Sequence, residues 1–325
     1  MRYIPSKGLP PGTMGWPLFG ETTNFSNMDQ FHEKPRARYG SLFKTHILGC
    51  PTVICMDPEL NRYILMNEGK GLVPGYPQSM LTIVGKRNIA AISLVLFCLD
   101  GILVAFKQIV ENRISQIYDT FKQEFDKLVV GTLSLLSIFQ EQITLRITGI
   151  LNEDSNYSLS DEETLDPDEH LALRQRKKPE DPIDWDDCKS MTFTRAVIYE
   201  TSRLATIVNG VLRKTINDIE LNEFKIPKGW RIYVYTREIN YDPVLYPEPY
   251  TFNPWRWLHE SHNYNFIFGG GTRLCPGKEL GIVKISTFLH YFVTRYRWEE
   301  VGGNEILQFP RVEAPNGLYI RVSKL

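Results

Sequence analysis

One stretch concentrates the chemistry: Phe268-Gly269-Gly270-Gly271-Thr272-Arg273-Leu274-Cys275-Pro276-Gly277, a glycine-rich run presenting one cysteine just ahead of a long apolar segment. A cysteine at a helix N-terminus meets unpaired backbone N–H groups and the positive end of the helix dipole, and both favour the thiolate. Arg273, two residues earlier, adds positive charge. Such a loop suits three tasks: cradling a phosphate, presenting a nucleophile, or presenting a thiolate ligand to a metal or haem. The phosphate loop fails on spacing, because five residues separate Gly271 from Gly277 where that motif has four, and Lys278 is followed by Glu279 instead of Ser or Thr. A nucleophile wants a partner base. The six histidines, His32, His46, His170, His259, His262 and His290, sit in no context that supplies one.

The elements that must position this loop follow from periodicity. After it, Lys278 to Arg295 sets Gly281, Ile285, Phe288, Leu289 and Phe292 on one face and predicts a helix packed deep in a core. Before it, a helix is expected over about Ser190 to Ala205, then strands around Asp218 to Tyr235 with a turn at Pro227-Lys228-Gly229, then an irregular proline-rich stretch from Tyr241 to Trp257. On the first of these helices, Glu200 and Arg203 stand three apart and share a face, where they can pair. Near the start, residues 7 to 20 are dense in Pro and Gly and read as a stiff extended docking arm. The β-prone runs Ser41 to Leu48 and Thr52 to Cys55 flank Gly49-Cys50-Pro51 and predict a hairpin. A helix should follow at once, with Asp57 as its cap and Pro58 in its first turn. From Asn152 to Lys178 the chain is strongly charged and reads as a surface connector.

Composition bounds the rest. With 325 residues, 42% of them hydrophobic, the chain can bury a large core. Thirty-seven Lys plus Arg against 38 Asp plus Glu removes the basic footprint of a nucleic-acid binder. Five scattered cysteines with no C-x-x-C pair argue for a reduced compartment and against structural zinc. Met1 to Ser6 shows no signal peptide or anchor. The apolar run from Ile89 to Phe106 is broken by Asp100 and Gly101, so it is expected as a buried helix and not a membrane span. The terminal Ser323-Lys324-Leu325 matches a peroxisomal address.

Taken whole, the loop matches F-x-x-G-x-R-x-C-x-G through Phe268, Gly271, Arg273, Cys275 and Gly277, and resembles the haem-ligand loop of the cytochrome P-450 family. The resemblance implies Cys275 as axial thiolate to the iron of haem b, with Arg273 on a haem propionate. Glu200-Thr201-Ser202-Arg203 is similar to the family's E-x-x-R, and Phe252-Asn253-Pro254-Trp255-Arg256-Trp257 to its P-x-R-F/W meander. That likeness makes Glu200, Arg203 and Arg256 a charge network that holds the fold. It also implies Ala205, Thr206, Ile207 and Val208 as substrate contacts and Arg213 as a second propionate partner. The lead-in from Leu9 to Glu21, the run Gly71 to Pro77 and the block Met191 to Val322 resemble the plant steroid-hormone branch, with brassinosteroid C-6 oxidases the nearest group. The expected fold is mainly α with a small β-sheet: a lead-in over 1–20 and a single incomplete domain over 21–325, whose haem-binding half is 188–325. By the resemblance, electrons come from NADPH through a reductase, the substrate is a plant steroid, and the protein sits on the endoplasmic reticulum membrane.

The chain also departs from the family pattern. The central distal helix with its G-x-[DE]-T core is not found; Asp161-Glu162-Glu163-Thr164 lacks the glycine and lies in the charged segment. The W-x-x-x-R helix expected after Ala91 is replaced by Ile92 to Phe106, and the N-terminal anchor is missing. Two readings follow: a steroid monooxygenase, or an inactive, internally shortened relative that at most binds haem or steroid, since without a distal wall oxygen reduction would leak to peroxide.

Overall fold

The extended runs flanking Gly49 pair as expected. In this computed structural model, which describes residues 8–15, 35–47, 49–76, 169–178, 181–205, 208–259, 266–271, 274–275, 277–300 and 320–325, β1 (Leu42–Ile47) and β2 (Cys50–Cys55) form an antiparallel hairpin. Its turn passes through Gly49 at φ +72°, a conformation a side chain disfavours. Pro51, which has no N–H to give, faces His46 of β1 and stands just outside the parallel pairing of β2 with β7, which begins at Thr52.

The described residues fall into two compact units. The first (Met1–Leu96, Val208–Pro249, Asn263–Cys275) is built on a five-stranded sheet of order β1-β2-β7-β4-β3. Its further strands are β3 (Leu72–Pro74), β4 (Gly210–Thr215) and β7 (Arg231–Tyr235), with β5 (Ile219–Leu221) and β6 (Phe224–Ile226) as a separate hairpin. The helix α1 (Pro58–Met66) follows β2. Asp57 Oδ1 accepts from the Leu60 N–H at 2.9 Å, as an N-cap must, and Pro58 fills a first-turn position whose N–H has no intrahelical partner. Leu60, Ile64 and Leu65 then join Val53, Ile232 and Val234 in one apolar core. The lead-in docks on this unit: Pro11 O accepts from Lys44 N at 2.7 Å, and the buried Lys44 Nζ donates to Pro10 O at 2.9 Å.

The second unit (Phe97–Ile207, Tyr250–His262, Pro276–Leu325) is helical. Its elements are α2 (Glu169–Arg176), α3 (Trp185–Ser190), α4 (Thr192–Ala205), the short α6 (Arg256–His259), the long α7 (Lys278–Arg295) and the pair β8 (Tyr296–Glu300) and β9 (Ile320–Lys324). The one-turn α5 (Arg237–Asn240) belongs to the first unit. Asp184 and Asp187 cap α3 reciprocally, each carboxylate accepting from the other's backbone N–H at 2.9 and 2.8 Å. Met191 separates α3 from α4, so the expected Ser190–Ala205 helix divides there.

Two expectations change. The charged connector is not all surface: residues 169–176 are α2, and Leu173 is buried with Ile183, Met191, Ile198 and Phe288 in the unit's core. α7 has the expected bounds, but its buried surface spreads over Ile282, Val283, Ser286, Thr287, His290 and Tyr291 as well, while Gly281 meets nothing within 4 Å of an added Cβ. A helix packed on most sides shows little amphipathic contrast, so counting one stripe understates it. The Ile89–Phe106 run lies outside the described residues. Among the described residues no helix is long and apolar enough to cross a membrane.

Candidate functional site

The cysteine loop belongs to the first unit and closes on itself. Gly269 N donates to Phe266 O at 2.9 Å, Leu274 N to Gly271 O at 3.2 Å and Cys275 N to Phe268 O at 2.9 Å. Gly269 and Gly271 take φ +79° and +64°. A Cβ on Gly271 would lie 2.2 Å from the Leu65 carbonyl oxygen, so the loop rests on the last turn of α1 at a distance only glycine permits. Phe268 is half-buried, and Gly277 stands immediately before α7. Arg273 lies outside the described residues.

Cys275 is exposed and forms no disulfide. Among the described residues no group of three or more His, Cys, Asp or Glu could hold a metal ion. The donor set is therefore one free thiol on a side-chain-free backbone cradle. It fits a haem iron with a single thiolate ligand, and it does not fit tetrahedral zinc.

The second constellation lies in the second unit and is buried. Glu200 and Arg203 are both 0% exposed. Glu200 Oε1 accepts from Arg203 Nη2 at 2.7 Å, Asn253 N at 3.0 Å and Arg256 Nε at 3.2 Å; Oε2 accepts from Arg203 Nε and Trp257 Nε1, each at 2.9 Å. Burial pushes the Glu200 carboxyl up, but the Arg203 hydrogen bonds and charge, with the Asn253 and Trp257 donors, outweigh it and hold it below the ordinary carboxylate range. An ion pair at i,i+3 is ordinarily a surface feature worth tenths of a kcal/mol; here it is the core of a five-bond network. Trp257, which also stacks on Tyr199 at 5.3 Å, was read in the sequence only as a position of the meander and not as a partner of Glu200. Its signal was available: an indole N–H is a donor only, and a buried one must find an acceptor.

Arg213, on β4, is buried, and its Nη2 lies 3.5 Å from Glu68 Oε2, a partner the sequence did not suggest. Of the four expected substrate contacts, Ala205 ends α4 and is buried, Val208 is 54% exposed, and Thr206 and Ile207 lie outside the described residues. The described residues thus bring Glu200, Arg203 and Arg256 together; Arg213 stands apart from that network, on β4.

The fold defines the class. The chain is similar to a retinoic acid-bound cyanobacterial CYP120A1 with a TM-score of 0.69 at 18% identity, covering 98% of this chain and 100% of that one. The cytochrome P450 family model matches residues 168–318. Cytochrome P450 85A from Phaseolus vulgaris is 49% identical over 98% of this chain and 92% of its own length. Cytochrome P450 85A1 of Solanum lycopersicum is 47% identical over 98% and 93%, and that of Arabidopsis thaliana 46% over 99% and 94%. The chain belongs to the cytochrome P450 family. Within it the chain is a monooxygenase of the 85A type, the group for which the sequence resemblance implied brassinosteroid oxidation.

The match to the Phaseolus protein runs over 431 residues and the chain has 325, so at least 106 aligned positions (431 less 325) face no residue here. The two places where the sequence lacks family helices, after Ala91 and between Glu163 and Asp168, lie outside the described residues.

Proposed function

We propose that this chain oxidises a brassinosteroid precursor at carbon six, using haem b ligated by Cys275 and electrons from NADPH delivered through a reductase. The observation that carries the reading is the free, exposed Cys275 at the end of a loop held by its own backbone bonds and by the Gly271 contact. Haem bound there supplies dioxygen activation at its iron. Cys275 would hold the iron through its sulfur, and the Gly271 contact holds the loop that presents it. Arg273 and Arg213 would pair with the propionates. Ala205 to Val208 contact the steroid. The Glu200 network touches no reacting atom; it fixes the meander to α4.

A second reading, a relative that binds haem or steroid without turnover, has one observation in its favour: the 106 or more aligned positions without a counterpart here. Incubating the purified chain with reductase, NADPH and a 6-deoxo steroid, then reading products by mass spectrometry, separates the two. A product carrying new oxygen at carbon six supports the monooxygenase. Steroid returned unchanged by a haem-loaded chain supports the second reading.

For localisation we propose the endoplasmic reticulum membrane. The alternatives are a soluble protein and, from Ser323-Lys324-Leu325, a peroxisomal one. Here Ser323 and Lys324 pair with Arg297 and Tyr296 in the β8–β9 ladder, and Leu325 N donates to Arg295 O at 3.0 Å. Reticular signal from an N-terminal fluorescent fusion supports the proposal, and punctate peroxisomal signal overturns it.

A further inference from the structure

The second unit contains a cavity of about 210 Å³ that uses no residue of the Glu200 network or of the cysteine loop. It opens to solvent and is lined, among the described residues, by the C-terminal turns of α2 and α7 and by Lys177, Lys178, Asp181 and Ile183. Four cations line it, Arg174, Lys177, Lys178 and Arg295, against one carboxylate, Asp181.

Two of these cations are held in place. Arg174 Nη1 donates to the Thr294 carbonyl oxygen, and Lys177 Nζ donates to Pro182 O at 3.0 Å while pairing with Asp184 and Asp187. The other two have no carboxylate partner among the described residues: Lys178, and Arg295, whose guanidinium lies 5.0 Å over the Tyr291 ring. Helix dipoles account for part of this, since Arg174 and Arg295 stand in last turns where cations are favoured. They do not account for Lys178, which lies beyond α2. With Lys177 assigned to its aspartates, three cations still face Asp181.

The imbalance is felt inside the cavity. His290 lines it, and burial, then Arg295, Arg174 and Lys177, push its imidazole down to about 4. A volume several times that of a water molecule, with fixed and unpaired cations on its walls, is matched by a compact oxyanion.

We propose that this cavity is a binding site for a phosphate group, carried either by a free phosphate compound or by an anionic lipid headgroup. The experiment is calorimetric titration of the haem-loaded protein with inorganic phosphate at constant ionic strength, beside flotation with phosphatidylcholine vesicles with and without phosphatidic acid. Lys178→Gln and Arg295→Gln are each expected to weaken phosphate binding about tenfold, the loss of one charge-assisted contact. Lys225→Gln, at an exposed ion pair in the other unit, is expected to change nothing. Vesicle binding that requires phosphatidic acid and falls with the same two variants identifies a lipid source; phosphate binding without it identifies a soluble one. The proposal is overturned if phosphate does not bind, or if Lys225→Gln weakens binding as much as Arg295→Gln does.

Discussion

Replacing Glu200 by Gln keeps the side chain's shape and removes its charge. Arg203, fully buried and bonded to Glu200 through two nitrogens, is then left without its counter-ion, and Arg256 loses one as well. The new amide N–H₂ also faces donors where an acceptor stood. Breaking a buried pair from one side costs about 3–5 kcal/mol, against total stabilities of about 5–15 kcal/mol. Urea unfolding followed by circular dichroism should therefore show a midpoint lowered by about a fifth or more of its value, with the slope unchanged. Glu200→Leu combined with Arg203→Met removes both charges, so its loss should fall short of the summed single losses by about 2 kcal/mol or more. Additive losses, or a Glu200→Gln loss under about 1 kcal/mol, would refute the network as the centre of this unit's stability.

Trp257→Phe keeps the ring stacked near Tyr199 but deletes the indole donor to Glu200, and should cost about 1–2 kcal/mol in the same assay. Gly271→Ala places a methyl 2.2 Å from the Leu65 carbonyl at φ +64°, whereas Gly229→Ala meets open space at φ +88°. The second should cost about 1 kcal/mol of strain, and only the first should also reduce retained haem, read by absorbance after gel filtration. His170 and His290 are pushed by burial to about 3 and about 4, below their ordinary 6.5. The unfolded chain therefore binds protons that the folded chain refuses between pH about 6.5 and about 3, and stability must fall as pH drops through that window. Urea midpoints taken across it should decline, and should decline less in His170→Gln/His290→Gln.

The sequence was most legible where a residue type has one use. The Asp57-Pro58 start of α1 rests on chain-local rules, and the structure repeats it. Glu200 and Arg203 were legible as a pair by spacing alone, but burial decides what such a pair is worth, and burial is a property of the packed unit. α2 was misread because its charges dominate the composition, while Leu173 is the one residue of α2 that joins the core. Glu169 and His170 also turn inward. Glu169 accepts from Thr194 N at 2.7 Å and Phe193 N at 3.1 Å, and His170 Nε2 lies 2.9 Å from Thr194 Oγ1. Long-range partners of this kind, like Glu68 for Arg213, leave no mark in local periodicity.

The account rests on Cys275 as a haem-iron ligand, and one spectrum tests it. The expressed chain is reduced under carbon monoxide and its Soret difference band recorded beside that of Cys275→Ser. A far red-shifted band in the parent chain that is absent from the variant is the predicted result, because that shift requires a thiolate opposite the bound gas. A parent chain that takes up no haem, or one whose band matches the variant's, contradicts the assignment.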